Sequence, residues 1–565
     1  MHPTAVLSVS DSRHAAHTTH VARSHSPDTY ALPHRLMRSR MLPATMLALM
    51  LAACGGASPD DDSNHSAAQS SVPVLQATST VALNDTLVLS NNAAGITGES
   101  ALAARNDALA GDHAFPAEQA GSMPVSSNTL QTKAITTGTV DVCRAIIAQN
   151  HKLLSGPETA LIPGIARPAF GEAVQDPVYG SCLTPVTDNG GGTKSEPYRR
   201  ADYSRRQAFN LDSTYMLMQS MDGYWYLHDA KTLKPIRLLK GITGDAEPQW
   251  HPYDRNRVYF LGRNGMGMQI RLLDVRNNWT VTAADMSKQV QAIWPNANAA
   301  WTRSEGSPSQ DGRYWCFQAE DTRTWRTVGV FTWDMKEQRI VGSMDMNERP
   351  DHVSMSPSGY YCVVSSDGPM GTRSYTRDFK KPYFNNGSTQ PWLQLHHKSE
   401  HSDIALDKNL VDAYVSVNYS TGEVFSVNLV NGRRTSLFNV YGNRTATALH
   451  FSGKAYDKPG WVLVSTYGAY YADNMYTNIR NTGRQQWHHR KMFAVSIEAK
   501  PKIRPIAHVD SNSVSAPGMD AYWTEPQATV NPDFTRMLFN STWNSTNAYD
   551  VETYLAAIPG GALDR

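Results

Sequence analysis

One short unit recurs seven times along this chain, and it restricts the possible folds more than any other feature. Each copy has a polar or proline-containing approach, a turn with Asp, Asn or Gly, and a run of β-forming residues. The copies read "RRQAFNLDSTYMLMQS", "EPQWHPYDRNRVYFLG", "EGSPSQDGRYWCFQA", "HVSMSPSGYYCVVSS", "HSDIALDKNLVDAYVSV", "HFSGKAYDKPGWVLVST" and "EPQATVNPDFTRMLFNST". Their turns lie near Asp212, Asp254, Asp311, Gly359, Asp407, Asp457 and Asp533, at spacings of 42, 57, 48, 48, 50 and 76 residues. A period of about 40–50 residues is typical of a four-stranded propeller blade.

The repeats therefore predict an all-β fold in which residues 178–565 form a β-propeller with seven blades, six or eight being the alternatives. The 25 Tyr and 13 Trp of the chain agree with β-structure. The last copy is followed by one more strand candidate, "VETYLAAIP", and "SCLTPVTD" before the first copy has the pattern of an outer strand. A strand from the front of the chain would complete the last blade and remove its exposed edge.

The N-terminal residues have the layout of an export signal. Arg35, Arg38 and Arg40 precede the apolar run "MLPATMLALMLAAC", which is too short to span a bilayer as a mature helix. The run ends at Cys54 and continues into the polar stretch "GGASPDDDSNHSAAQSS". This order resembles the lipobox of bacterial lipoproteins, which implies that Cys54 is lipidated and that Gly55 directs the protein to the outer membrane. Residues 1–54 are thus predicted to be an N-terminal extension and a lipoprotein signal peptide, and a buried helix that ends in Cys is the alternative for the apolar run.

Residues 55–175 are rich in Ala, Ser, Thr, Asn and Gly, and they predict a tether or a loosely structured segment. One short helix is expected within it, in "VDVCRAIIAQNHKLL". Cys143 and Cys182 either form a disulfide or stay free, and the sequence leaves both open. Lys plus Arg number 52 and Asp plus Glu 51, without a basic block, which excludes a nucleic-acid partner.

Polar residues occupy the approach to each repeat. The innermost strand of a propeller blade lines the central channel, so these approach residues are expected to meet at one channel mouth. They are Arg205, Arg206, Gln207, Glu247, Gln249, Glu305, Asp351, His352, His401, Asp403, His450, Glu525 and Gln527. Polar side chains in a channel need ions, water or ligand as partners, because unpaired buried polar groups are costly.

Three of these residues, His352, His401 and His450, come from consecutive blades. Three neutral imidazoles with an oxygen ligand suit a divalent metal, for which Mn²⁺, Zn²⁺ and Ca²⁺ are the candidates. The alternative is that each His hydrogen-bonds the backbone of a neighbouring blade.

The repeats resemble the PD40 or TolB-type propeller repeat, whose marker W-S-P-D-G precedes a β run. The variants "QWHPYDRNRVYF" and "VSMSPSGYYCVV" carry this resemblance, which extends from Val178 to Arg565. It implies an architecture and no particular reaction, because the motif encodes a turn and a strand.

The histidine pattern resembles, in residue types, the propeller lyases that cleave uronic-acid polysaccharides by β-elimination, namely the oligogalacturonate and ulvan lyases. Oligogalacturonate lyases carry further His in the blade that here reads "EPQATVNPD". The resemblance implies a metal site made of His352, His401, His450 and Gln527. It also implies that Arg205 or Arg206 meets the acidic sugar, and that His397 or Tyr203 transfers the proton.

Further side chains are expected to contact a substrate. Glu247, Gln249 and Glu305 lie in the approaches, and the long insertion of the sixth repeat carries Tyr470 and Trp487. These two aromatic rings are predicted to stack on sugars, with a packed loop as the alternative.

The first functional prediction is an outer-membrane lipoprotein that binds or cleaves an acidic polysaccharide, as a lyase if it is an enzyme. The main alternative is a non-catalytic, TolB-like platform that binds a protein of the cell envelope. A glycoside hydrolase that uses Glu247, Glu305 or Glu525 comes third.

Overall fold

The computed structural model describes residues 143–144, 146–147, 154–191, 198–381, 383–385, 388–471, 480–512 and 522–564. Within these ranges the chain forms seven antiparallel sheets of four or five strands, which follow one another in sequence as propeller blades. The prediction of a seven-bladed β-propeller is confirmed. Cys54 and the predicted signal peptide lie outside the described residues, so their roles stay predictions.

Blades 1 to 6 are four-stranded meanders whose strands run in chain order from the channel outward. The strands of blades 1, 2 and 3 are Arg199–Arg200, Tyr215–Ser220, Tyr224–Asp229 and Pro235–Thr243; Gln249–Trp250, Arg257–Leu261, Gln269–Asp274 and Trp279–Asp285; and Ala299–Trp301, Tyr314–Asp321, Arg326–Asp334 and Arg339–Asp345. Those of blades 4, 5 and 6 are His352–Met355, Tyr361–Ser365, Thr372–Thr376 and Leu393–His396; Ser402–Leu406, Asp412–Asn418, Glu423–Asn428 and Arg434–Asn439; and Thr445–Ser452, Trp461–Tyr471, Lys491–Ser496 and Ile503–His508.

Blade 7 joins the two ends of the described chain. Its inner strands are Thr529–Val530, Arg536–Ser541 and Glu552–Ala557, and its fourth strand is Cys182–Pro185. The fourth strand pairs antiparallel with the third, and Val174–Gln175 adds a fifth strand outside it. The predicted closure by a front strand is therefore confirmed.

The recurring turns have a common hydrogen-bonding pattern that explains the repeat. An Asn or Ser between the innermost and second strands accepts backbone N–H groups from residues at or just before the start of the second strand. The residues in this position are Asn210 in blade 1, Ser309 in blade 3, Ser356 in blade 4 and Asn531 in blade 7. Short polar side chains of this kind close turns by replacing a backbone acceptor.

Neighbouring blades pack through apolar side chains, with one buried cluster at each of the seven blade interfaces. Between blades 1 and 2, for example, Trp225 and Phe260 belong to one cluster. The alternation of each strand turns one set of side chains toward each neighbouring blade.

An N-terminal strap, residues 154–168, contacts blades 6 and 7. The backbone N–H of Ile162 donates to Oδ1 of Asn481 at 2.7 Å, and the Asn481 amide donates back to the Ile162 carbonyl at 3.0 Å. Two disulfides are formed, Cys143–Cys182 beside blade 7 and Cys316–Cys362 between blades 3 and 4.

Helical structure is sparse in the described ranges. An α-helix, Ser287–Ile293, connects blades 2 and 3, and Arg263–Gly265 forms a 3₁₀ turn. The described residues of the expected N-terminal helix, Cys143, Arg144, Ile146 and Ile147, are helical. None of the helices in these ranges is long and apolar enough to cross a bilayer.

Candidate functional site at the upper channel mouth

Several of the predicted approach residues contact one another near the start of the innermost strands, an end of the channel that we call the upper mouth. In blade 1 this strand is interrupted after Arg199–Arg200, and its pairing resumes only at Phe209. The intervening residues 201–207, which we call the crossing loop, leave the sheet and reach the other blades.

Hydrogen bonds from several blades hold the crossing loop in place. The hydroxyl of Ser307 donates to the carbonyl of Arg205 at 3.0 Å, and that of Thr529 donates to the carbonyl of Arg206 at 2.7 Å. The amide of Gln207 donates to the carbonyl of Val530 at 2.9 Å. Blades 3 and 7 thus fix a loop that belongs to blade 1.

Arg205 is the centre of the contacts made by this loop. Its Nη1 lies 2.9 Å from Oε2 of Glu305 in blade 3 and donates to Nε2 of His352 in blade 4. Its Nη2 donates to the hydroxyl of Ser402 at 3.1 Å. The side chain is only 5 % exposed. A charge buried to this degree requires such a set of partners.

Beside Arg205, the side chains of Glu305, Asp351 and His352 form a group that we call the acidic cluster. One ligand atom from each lies within 4.8 Å of the others. Nδ1 of His352 is 3.2 Å from Oδ2 of Asp351 and 3.5 Å from Oε2 of Glu305. The two carboxylates are 25 % and 23 % exposed, so this is the part of the site that reaches solvent. Two carboxylates and an imidazole are a donor set that divalent cations accept.

Burial and charge set the protonation of the cluster. Burial raises the pKa of Glu305, although Arg205 opposes the rise. Burial would also raise the pKa of Asp351, but the hydrogen bond from His352 outweighs it and holds that pKa below its usual range. Burial and the charge of Arg205 lower the pKa of His352. Because Arg205 donates to Nε2, the neutral His352 ring carries its proton on Nδ1 and donates it to Asp351.

A group of aromatic rings lies on the other side of the crossing loop. The rings of His401 and His450 stack with centroids 4.3 Å apart, and Tyr467 stacks on His450 at 4.8 Å. Tyr203 of the crossing loop contacts the edge of His450 at 5.4 Å. Nδ1 of His401 donates to the carbonyl of Leu449 at 2.6 Å, so a neutral His401 ring has its lone pair on Nε2.

His450 also contacts a carboxyl group from blade 7. Its Nε2 is 2.8 Å from Oε2 of Glu525, and neither side chain is more than 1 % exposed. Burial raises the pKa of Glu525 well above its usual value, and burial with the neighbouring His401 and Arg205 lowers that of His450. The pair is therefore neutral, with the carboxyl proton donated to the ring. Burial also raises the pKa of the Tyr203 hydroxyl well above its usual value.

Comparison with solved structures gives a likeness of fold. An oligogalacturonate lyase in complex with manganese and the oligogalacturonate lyase of Vibrio parahaemolyticus are each 13 % identical to this chain, with a TM-score of 0.47. Each match covers 69 % of this chain and 97 % of the other. No protein-family model matches the sequence. No curated protein is similar to it either.

The three histidines expected to share a metal occupy two places. His401 and His450 stack on each other, whereas His352 contacts Arg205 and the acidic cluster. Gln527, the expected oxygen ligand, accepts a hydrogen bond from Nη1 of Arg200 at 3.0 Å. Among the described residues, the acidic cluster is therefore the group that could hold a metal. It shares only His352 with the set of metal ligands expected from sequence.

The expected catalytic residues also separate. Tyr203 and Arg205 are buried residues of the crossing loop, and Arg206 donates to the carbonyl of Ser304 at 2.8 Å. His397 is an exposed residue of the loop that joins blades 4 and 5. Among the described histidines of the "HHKSEHSD" stretch, His401 is the one that stacks on a channel histidine, His450.

The expected substrate contacts have various surroundings. Glu247 is buried and accepts N–H bonds from Thr302 and Ser304, and burial raises its pKa to about 7. Gln249 donates to the carbonyl of Gly306 at 3.1 Å. Glu305 belongs to the acidic cluster.

The two residues predicted to stack on sugars, Trp487 and Tyr470, have different outcomes. Trp487 packs edge-on against Phe438 at 5.4 Å, between blades 5 and 6. The side chain of Tyr470 is not among those described, so its role stays a prediction.

Two members of the site were not assigned a role from sequence. Asp351 appeared among the channel residues but not as a ligand, although it directly precedes His352. Lys454 forms a buried pair with Asp403 at 2.9 Å, and the repeat "HFSGKAYD" gave no sign of it.

Proposed function

We propose that this protein binds an acidic, uronate-containing polysaccharide at the upper mouth and cleaves it by β-elimination. One observation carries the proposal: the buried guanidinium of Arg205 contacts Glu305 and His352 of the acidic cluster and lies 5.9 Å from the centroid of the Tyr203 ring. A uronate needs its carboxylate neutralised before its α-proton can be removed, and a fixed positive charge at a water-poor site supplies that need.

The charges at the solvent-facing part of the site favour a cation as an additional partner. An anionic sugar that approaches Glu305 and Asp351 would meet two carboxylates, which repel it. Arg303 lies 3.9 Å from Asp351 and offsets part of this charge. A divalent ion between the carboxylates would reverse the sign of the surface and attract the sugar.

The donor set of the acidic cluster fits such an ion. Glu305 and Asp351 would hold it through carboxylate oxygens and His352 through Nδ1. For a neutral ring to bind through Nδ1, its proton would move to Nε2, and Arg205 would keep Glu305 and Ser402 as its acceptors. The ion would supply further neutralisation of the uronate carboxylate.

Proton transfer is assigned to two side chains. The raised pKa of Tyr203 keeps its hydroxyl protonated, which suits a donor to the departing sugar oxygen. His401, whose ring stacks on His450 beside Tyr203, is assigned the removal of the α-proton. The β-elimination balances with one proton taken from carbon, one given to the leaving oxygen, and a new carbon–carbon double bond.

The test is an assay of the full chain on a panel of uronate polysaccharides with Mn²⁺ or a chelator. We expect the ultraviolet absorbance of an unsaturated uronate to appear, and Tyr203→Phe to lower kcat by about 100-fold or more. Tyr253→Phe is the matched control, because Tyr253 is 73 % exposed in a turn of blade 2. Reducing ends without the chromophore would indicate hydrolysis instead, and no product from any polysaccharide would reject catalysis.

One observation favours a second function, a non-catalytic platform in the cell envelope. The guanidinium of Arg205 already has acceptors on Glu305, His352 and Ser402, as a purely structural arginine would. In that case Arg205 braces the channel and the loops of the upper mouth bind an envelope protein. Capture of such a partner that survives Tyr203→Phe and Asp351→Asn would support this function.

We also propose that the chain is exported and anchored to the outer membrane through a lipid on Cys54. The order of basic residues, apolar run and cysteine in the sequence supports this. Mass spectrometry of the mature N-terminus tests it, and an unmodified Cys54 in the membrane fraction would contradict it.

A further inference from the structure

A tryptophan that sequence reasoning did not select lies at the entry to blade 7. Trp523 is partly exposed, and the guanidinium of Arg200 lies over its ring at 4.1 Å from the centroid. The ring of Tyr522 packs edge-on against it at 4.8 Å. A single exposed tryptophan does not by itself indicate a binding site. Trp523 differs because the guanidinium of Arg200 is fixed over one face of its ring.

The arginine behind the indole is held rigidly. Its Nη1 donates to the carbonyls of Ala201 and Asp202, at 2.9 and 2.7 Å, and to the amide oxygen of Gln527 at 3.0 Å. Arg200 is 3 % exposed, so these bonds are shielded from water. The stack of Arg200 on Trp523 is therefore formed before any ligand arrives, and a ligand need not order it.

Trp523 is linked to the candidate site through Glu525, which follows it in the sequence, and through the side chains that Glu525 contacts. Glu525, two residues after Trp523, bonds His450, whose ring touches Tyr203. Blade 7 lies across the seven-membered ring from blades 3 and 4, which carry the acidic cluster. A polymer that lies across the upper mouth would reach both the cluster and Trp523.

We propose that Trp523 is a stacking platform for a pyranose ring of the acidic polysaccharide, one or more units away from the bond that is cleaved. The flat C–H face of a pyranose packs on an indole, as apolar groups do on aromatic rings. The guanidinium on the opposite face adds positive charge, which favours a uronate over a neutral sugar. This inference rests on the proposed function for the identity of the polymer, although the stacking itself needs no catalysis.

The experiment measures binding and turnover separately, with galacturonate oligomers as the probe. Binding is followed by calorimetry for the wild type, Trp523→Ala, Trp523→Phe and Trp279→Ala. Trp279 is the matched control, because it is 64 % exposed and begins the outermost strand of blade 2. We expect Trp523→Ala to raise Kd by about tenfold, Trp523→Phe to keep most of the affinity, and Trp279→Ala to match the wild type.

The outcomes separate this inference from the proposed reaction. Unsaturated product from the wild type with unchanged Kd and KM in Trp523→Ala would overturn the platform and leave the lyase intact. Loss of binding in Trp523→Ala without any product from the wild type would support the platform and reject the lyase. A wild type that binds none of the oligomers would overturn the platform as stated. Unfolding curves of Trp523→Ala that match the wild type would show that its loss of affinity is not a loss of fold.

Discussion

The carboxyl group of Glu525 in blade 7 lies 2.8 Å from Nε2 of His450 in blade 6, and both side chains are fully enclosed. Burial raises the pKa of the carboxyl group well above its usual value, and burial lowers the pKa of the ring. A neutral hydrogen bond between two titratable groups therefore links these blades at the channel. It costs less than a buried ion pair, because neither group has to be desolvated as an ion.

This neutral bond predicts a difference between two substitutions. Glu525→Gln keeps a donor opposite Nε2 of His450, and we expect a loss of less than about 1 kcal/mol in the free energy of unfolding. Glu525→Ala leaves the buried ring nitrogen without a partner, and we expect a loss of about 2 kcal/mol. Urea unfolding measures both. Equal losses would indicate that the hydrogen bond contributes nothing.

Removal of the Arg205 side chain should lower the free energy of unfolding by more, because it leaves Glu305 without its cation. We expect Arg205→Met to lower the free energy of unfolding by about 3 kcal/mol, and Glu305→Gln to recover part of the loss in the double variant. Arg255→Met is the control, because Arg255 and Asp212 form an exposed pair, and its unfolding curve should match the wild type. Additive losses in the double variant would show that the two side chains do not interact.

Glu400 predicts a dependence of stability on pH. Burial, followed by the nearby Asp367, raises its pKa to about 8 in the folded state from an ordinary value of 4.5. The folded protein thus holds this proton more tightly than the unfolded chain. The contribution is complete below pH 4.5 and is lost as pH rises through about 8, by on the order of 5 kcal/mol at most.

Urea unfolding over this pH range checks the expectation for Glu400. Glu400→Gln should flatten the curve of stability against pH between about 4.5 and about 8. Glu337→Gln, which changes a largely exposed carboxylate, should leave that curve as in the wild type. A Glu400→Gln curve that retains the full slope would assign the pH dependence to other groups.

Two glycines in turns, Gly359 of blade 4 and Gly267 of blade 2, should respond differently to substitution by alanine. Gly359 has φ of +72°, and a Cβ there would lie 2.7 Å from the ring of Tyr314. Gly267 has φ of +82° with nothing within 4 Å of its Cβ position. Both changes to alanine incur the cost of a left-handed backbone, about 1 kcal/mol, but Gly359→Ala adds a clash. Thermal unfolding should therefore show a clearly lower Tm for Gly359→Ala.

The blades could be predicted from sequence because the turn that defines them is local. Asn210, Ser309, Ser356 and Asn531 close their turns with residues four or five positions away, so the pattern repeats in the sequence itself. The closing strand at Cys182 was predictable for a different reason, since an unpaired edge strand needs a partner.

The site could be predicted only in part, because its contacts join distant repeats. The sequence placed Arg205 and His352 at the same mouth, but their contact spans 147 residues and arises from the crossing loop. Nothing in the run "RRQAFNLD" indicates that the strand leaves its sheet. His352 was expected to join His401 and His450, and the position of Arg205 draws it toward Glu305 and Asp351 instead.

The most direct measurement is a crystal structure of the full chain grown with Mn²⁺, with anomalous diffraction recorded for the metal. The account predicts one strong anomalous peak among the carboxylates of Glu305 and Asp351 and Nδ1 of His352, and the loss of that peak in Asp351→Asn. A peak beside His401 and His450, or no peak at the upper mouth, would contradict it.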